Sequence, residues 1–126
     1  MKNAVKTQQA PSPVGPYSQA IIVGDMIFCS GQIGIVPATG KLAADSIATE
    51  TKQVMDNLKA IVLEAGCNLN NIVKTTIFVT NLSEFKTVNE IYGSYFSGAP
   101  PARSTVEVSK LPMGARVEIE AIAVRK

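Results

Sequence analysis

The chain has 126 residues, of which 46% are hydrophobic and 17% charged, and 12 basic against 10 acidic side chains leave a net charge of +2. That length suits one domain over residues 1–126 that buries roughly two-thirds of its unfolded surface, and the apolar share excludes a disordered chain. Histidine is absent, which excludes every catalytic dyad or triad built on an imidazole. The lysines are scattered from Lys2 to Lys126 without aromatic interleaving, a pattern that argues against nucleic acid as a partner.

The N-terminal stretch MKNAVKTQQAPSP lacks the apolar core of a secretory signal. The longest apolar runs, such as Ala20 to Val23, are too short to span a bilayer. Cys29 and Cys67 lie in apolar surroundings at no framework spacing and read as two buried thiols of a reducing compartment. The expectation is a cytoplasmic protein with no membrane contact.

Pro11, Pro13 and Pro16 keep the first segment extended or turned, because proline lacks a donor and biases its predecessor away from helix. Ser18 to Val23 and Met26 to Ser30 read as a hairpin around Gly24-Asp25. Pro37 to Gly40, with Gly34 before it, reads as loop. A helix is predicted over 46–65, with Val54, Leu58, Ile61, Val62 and Ala65 on one face, Asp45 or Ser46 as its cap and Gly66 past its end.

Ile72 to Thr80 is β-branched and predicts a strand with Val73, Thr75, Ile77 and Val79 on one side. A second helix is predicted over 82–96, opened by an Asn81–Glu84 capping box, with Phe85, Val88, Tyr92 and Tyr95 inward. Two strands, Arg103 to Val108 and Val117 to Val124, close the chain. The order β-β-β-α-β-α-β-β predicts an α+β fold, one mixed sheet with both helices packed on a single face. The other sheet face keeps Val and Ile among its Ser and Thr, which predicts burial by a partner subunit.

Two charged positions in the last strands stand out. Along Ala102 to Val108 side chains alternate, so Arg103, Thr105 and Glu107 share one face. Ala102, Ser104, Val106 and Val108 suit the core, which predicts Arg103 on the open face. Its planar fork suits a carboxylate, and it suits equally a structural ion pair with Glu107, Glu118 or Glu120. Glu118 and Glu120 lie opposite Val117, Ile119 and Ala121, and a carboxylate there can orient or deprotonate water. Burial would raise the Glu118 pKa and a nearby arginine would lower it. The Leu111-Pro112-Met113-Gly114 turn leaves the strand register open. Tyr17 suits a pocket wall or the end of the core, and Ser30-Gly31 suits a ligand approach or a plain turn. Ser30 has no evident base, which argues against a nucleophilic role. Isolated aspartates (Asp25, Asp45, Asp56), two distant cysteines and no glycine-rich phosphate loop predict no metal and no nucleotide cofactor.

Six pieces in order resemble the RidA family (reactive intermediate deaminase A, also called the YjgF family). They are Gly15-Pro16-Tyr17-Ser18-Gln19-Ala20, Ser30-Gly31-Gln32-Ile33, Val73 to Val79, Thr87-Val88-Asn89, Pro101-Ala102-Arg103-Ser104 and Val117-Glu118-Ile119-Glu120-Ala121. The resemblance covers nearly the whole chain. It implies a chorismate-mutase-like fold and a homotrimer with clefts between subunits. It further implies cofactor-free hydrolysis of 2-imino acids, in equilibrium with 2-enamino acids, to 2-keto acids and ammonia. By the same resemblance Arg103 binds the substrate carboxylate, Glu118 serves the water, and Tyr17, Ser30, Gly31 and Asn89 line the pocket. Many relatives carry cysteine after Arg-Ser where this chain has Thr105, so a hydroxyl can line the cleft but no thiol role carries over. Two other readings use the same residues: a carboxylate-binding regulatory module without turnover, and a ribonuclease or translation inhibitor.

Overall fold

A computed structural model describes residues 1–125. The chain begins with an edge strand β1 (Lys2–Val5), followed by the antiparallel pair β2 (Ala20–Val23) and β3 (Met26–Gln32). The turn of this expected hairpin is Gly24-Asp25, with Gly24 at φ 59°. Pro37 to Gly40 is the expected loop, and it closes a ribbon of two short strands that the sequence did not mark, β4 (Ile35–Val36) and β5 (Lys41–Leu42).

Helix α1 (Ile47–Glu64) begins where the Ser46 hydroxyl accepts from the Thr49 amide at 3.0 Å and ends before Gly66 at φ 86°. Its expected face is the core: Val54, Leu58, Ile61 and Val62 have no exposed surface, and Ala65 is buried with them. Each of the valine, leucine and isoleucine side chains contributes roughly 1.5–3 kcal/mol by leaving water.

Strand β6 (Ile72–Val79) follows with one correction. Thr75, Ile77 and Val79 are buried, but Val73 is exposed and Ile72 takes the inner position. The cause is a register shift against the neighbouring strand between Ile72 and Lys74, a bulge that breaks the alternation.

The second helix is shorter than expected. Leu82 to Glu84 form a 3₁₀ turn, and α2 spans only Phe85–Gly93. Asn81 does cap, accepting from the Ser83 amide at 3.0 Å, but Glu84 completes no box. Beyond Gly93 the chain leaves the helix, and Tyr95 reaches α1, its hydroxyl donating to Asp56 at 2.7 Å. The inner stripe is as expected, with Val88 and Tyr92 buried and Phe85 and Tyr95 packed against the core.

The last strands, β7 (Ala102–Glu107) and β8 (Val117–Val124), are not a hairpin. Both pair with β6, β7 parallel and β8 antiparallel, in a six-stranded sheet of order β1-β2-β3-β8-β6-β7. The architecture is α+β, with α1 against β3 and β8, and α2 against α1 and the β6–β7 edge. The opposite sheet face is open and carries Met26, Phe28 and Val106, each 41–42% exposed.

Candidate active site

Parallel pairing sets Arg103 beside Thr75 and Thr105 beside Ile77, both core residues. Arg103, Thr105 and Glu107 therefore point to the helix side, and the expectation that Arg103 faces the open side is overturned. The alternation was right, but the faces were exchanged. β7 is an edge strand covered by the short α2 alone, so its helix-facing positions need not be apolar, and its open-face positions hold Ala102, Ser104 and Val106.

Among the described residues Arg103 joins no ion pair. Glu107 accepts from the Leu82 amide instead, and Glu118 lies on the other face of the sheet. The guanidinium is held by neutral groups of α2. Its Nη1 donates to Asn89 Oδ1 at 2.6 Å, and its carbon lies 5.2 Å from the Phe85 ring centre and 5.3 Å from that of Tyr92. Tyr92 is itself braced by a 2.7 Å hydrogen bond with Thr75. Burial pushes the Tyr92 phenol up, against the opposing pull of that bond and of Arg103. Among the described residues no acceptor meets the remaining guanidinium N–H groups, which leaves them available to an anion. Two residues on from Arg103, the Thr105 hydroxyl oxygen is buried and meets no hydrogen-bond partner among the described residues.

Glu118 builds a second cluster. It lies opposite Phe78, whereas Arg103 is level with Ala121 through Thr75. The two residues are thus about 10 Å apart along the strands and about 10 Å across them, on opposite faces. Glu118 and Glu120 do share the open face, as their alternation predicts. Between Cys29 and Gln32 a bulge in β3 places Ser30 and Gly31 against the single residue Glu120. Gly31 thereby comes under the Glu118 carboxylate so closely that a Cβ there would overlap Oε2 and stand 2.9 Å from Cδ. Burial chiefly, and the Glu120 charge second, raise the Glu118 pKa above the ordinary glutamate value. With Arg103 on the other face, the opposing effect considered from sequence does not act within the chain.

Glu118 and Gly31 line a cavity of about 200 Å³ together with Tyr17, Ile33, Ile35 and Met113. Ser30 is not among the lining residues. Its hydroxyl donates to the Ser18 carbonyl at 2.6 Å and its amide to Gln19 at 3.0 Å, which anchors the Tyr17 segment. The buried Gln19 amide holds the other end, bonding to Thr7, Ala10 and Pro11. Two polar clamps from α1 hold the remaining walls. Asn57 donates to the Ile33 and Ile35 carbonyls at 3.1 and 2.9 Å. The buried Glu50 carboxylate accepts from Arg116 Nε at 2.8 Å and from its amide at 2.7 Å, just before β8.

Sequence reasoning missed these supports. The ring clamp had a signal, since Phe85, Asn89 and Tyr92 fall at i, i+4 and i+7 on one helical face. The Glu50–Arg116 and Asn57 contacts join segments distant in the chain and had none. The two thiols are buried, and desolvation pushes Cys29 up to about 12, which makes it a poor nucleophile. Among the described residues no group of three or more His, Cys, Asp or Glu side chains could hold a metal ion, and no helix is long and apolar enough to cross a membrane.

A family model described as endoribonuclease L-PSP matches residues 7–125. The 2-iminobutanoate/2-iminopropanoate deaminase of Mus musculus is 47% identical over 125 residues, covering 99% of this chain and 93% of that protein. Among solved structures, a putative endoribonuclease from Thermotoga maritima is 49% identical with a TM-score of 0.97, covering 100% of this chain and 99% of that one. The structure of TdcF from E. coli with bound serine is 42% identical with a TM-score of 0.95, covering 98% and 99%.

Proposed function

The chain belongs to the endoribonuclease L-PSP family, which includes the RidA proteins, and from that membership and the geometry of its two clusters we propose that it hydrolyses 2-imino acids to 2-keto acids and ammonia. Its α+β fold is the chorismate-mutase-like one of that family. The observation that carries the reading is Arg103. An arginine at a sheet edge, held by an amide and two rings and left without a carboxylate of its own, is a pre-set receptor for one.

The chemistry asks for little more. An imine carbon is already electrophilic, so a held substrate needs an oriented water and a base. Glu118, made more basic by burial, takes a proton as water adds to the carbon. Glu118 gives that proton to the nitrogen, which leaves a neutral carbinolamine; the carboxylate then moves the hydroxyl proton of the adduct to the same nitrogen, the C–N bond breaks, ammonia leaves and the hydroxyl oxygen becomes the keto oxygen. Thr105 and Asn89 border the carboxylate end, while Tyr17 and Gly31 border the water, with Ser30 as the anchor beneath. No cofactor enters the sequence of steps.

Arg103 and Glu118 face away from each other within one chain, so a complete cleft needs a second copy. We propose a homotrimer of this single domain (residues 1–126), with the open sheet face buried and each cleft shared by two subunits. The exposed Met26, Phe28 and Val106 support it. A cytoplasmic location accords with two unpaired buried thiols.

The test supplies 2-iminopropanoate or 2-iminobutanoate in situ, from a pyridoxal-phosphate dehydratase acting on serine or threonine, and follows keto-acid formation above the spontaneous rate. The chain accelerates it, and Arg103→Ala lowers kcat/KM by roughly a hundredfold while circular dichroism and subunit number stay unchanged. Full activity in that variant would sink the role of Arg103. Carboxylate binding without ammonia release would favour a regulatory module. RNA cleavage that persists in pure protein and disappears with Arg103→Ala would favour the nuclease reading, which lacks an imidazole and a basic patch.

A further inference from the structure

Met113 is the one residue other than glycine with a positive φ among the described residues (φ 59°, ψ 22°). It sits between Pro112 and Gly114 in a tight turn closed by the Ala115 amide on the Pro112 carbonyl at 3.0 Å. Glycine adopts this conformation freely, whereas a side chain is penalised in it. Burial does not offset that penalty, because Met113 is 57% exposed. What its side chain does is wall the Glu118 cavity. Strain kept where the core gains nothing points to the site it borders.

We propose that Met113 determines substrate choice, selecting 2-imino acids with a flexible apolar side chain of three or more heavy atoms over the three-carbon substrate. This rests on the imine-hydrolysis reading. In that reading Arg103 takes the carboxylate and Glu118 faces the imine carbon, so the group carried by that carbon is left to the remaining wall. That wall is mainly apolar: Val14, Tyr17, Ile33, Ile35 and Met113, with Ser12 and Gln32 as its polar members and Val14 85% and Tyr17 50% exposed. A cavity of about 200 Å³ gives more room than a methyl group needs, since one water occupies roughly 30 Å³ in the liquid. Asn57 fixes the wall at Ile33 and Ile35, and Glu50 fixes the chain at Arg116. Met113 is the adaptable part, an unbranched thioether able to conform to an alkyl chain.

The experiment compares wild type, Met113→Gly and Met113→Leu on two imines generated in situ. One is 2-iminopropanoate; the other is 2-imino-4-methylpentanoate, made by an amino-acid oxidase from leucine. Met113→Gly relieves the backbone and melts no lower than wild type. Its kcat/KM for the larger imine, relative to the smaller, falls about tenfold, while Met113→Leu keeps that ratio within about twofold of wild type. An unmoved ratio in Met113→Gly, or equal losses on both imines, overturns the role of Met113 alone. A wild type inert on both imines overturns the hydrolysis reading and this one with it.

Discussion

At Gly31 a missing side chain sets the position of a charged one. The Glu118 carboxyl group occupies the space a Cβ would take, with Cδ 2.9 Å and Cγ 3.1 Å from that point. The obstructing atoms are the end of a side chain, so Gly31→Ala moves Glu118 rather than the strand. The expected outcome is a loss of stability below about 1 kcal/mol in urea unfolding, since only the flexible end of the Glu118 side chain has to give. The kcat of imine hydrolysis falls about a hundredfold, because displacing a reacting group by an ångström has that order of effect. KM changes little, since Arg103 is untouched. A variant that unfolds, or one that raises KM alone, would contradict this account. The Ser-Gly dipeptide was legible as a close-approach position. What approaches it was not, because the β3 bulge that brings Gly31 to Glu118 depends on pairing with β8.

At the scale of elements, α2 is the arginine's holder. Nine residues long, it would be marginal alone and is stable only through packing. Its face at Phe85, Asn89 and Tyr92 performs two separable tasks. Tyr92→Phe keeps the ring over Arg103 but leaves the buried Thr75 hydroxyl unpaired. It is expected to cost about 1–3 kcal/mol in unfolding while leaving kcat/KM within about twofold. Asn89→Ala is expected to do the reverse, with stability nearly unchanged and KM raised several-fold as the guanidinium loses its 2.6 Å anchor. Equal effects of the two variants on KM would show that the clamp does not act through Arg103. The ion-pair alternative for Arg103 could not be dismissed from alternation, because strand charges pair or stay free according to their neighbours across the sheet. Those neighbours are Thr75 and the rings of α2, and none carries a negative charge.

In the whole molecule the Arg103 and Glu118 clusters lie on opposite faces of one sheet, so catalysis by a lone chain is geometrically excluded under the proposed mechanism. Arg103→Ala and Glu118→Gln, each strongly impaired alone, are therefore expected to complement when unfolded together and reassembled at equal amounts. A cleft that draws Arg103 from one variant and Glu118 from the other is intact, which restores about a quarter of wild-type activity if subunits mix at random. No recovery, with mixing verified by mass, would mean that each cleft draws both residues from one chain.

The sequence by itself marked most of the elements and singled out Arg103 and Glu118 as the candidate side chains. Periodicity marked both helices, β-branched runs marked the strands, and the Ser46 and Gly66 signals bounded α1. These properties are local, written within a few residues of one another. The missing histidines and the six family motifs then narrowed the chemistry. Only the tertiary structure decided the rest. It separated β7 from β8 by inserting β6 between them, turned Arg103 toward the helices, and left Glu118 on the open face with a raised pKa. Strand order and facing are set by which long-range pairings bury most apolar surface, and no local pattern carries that comparison.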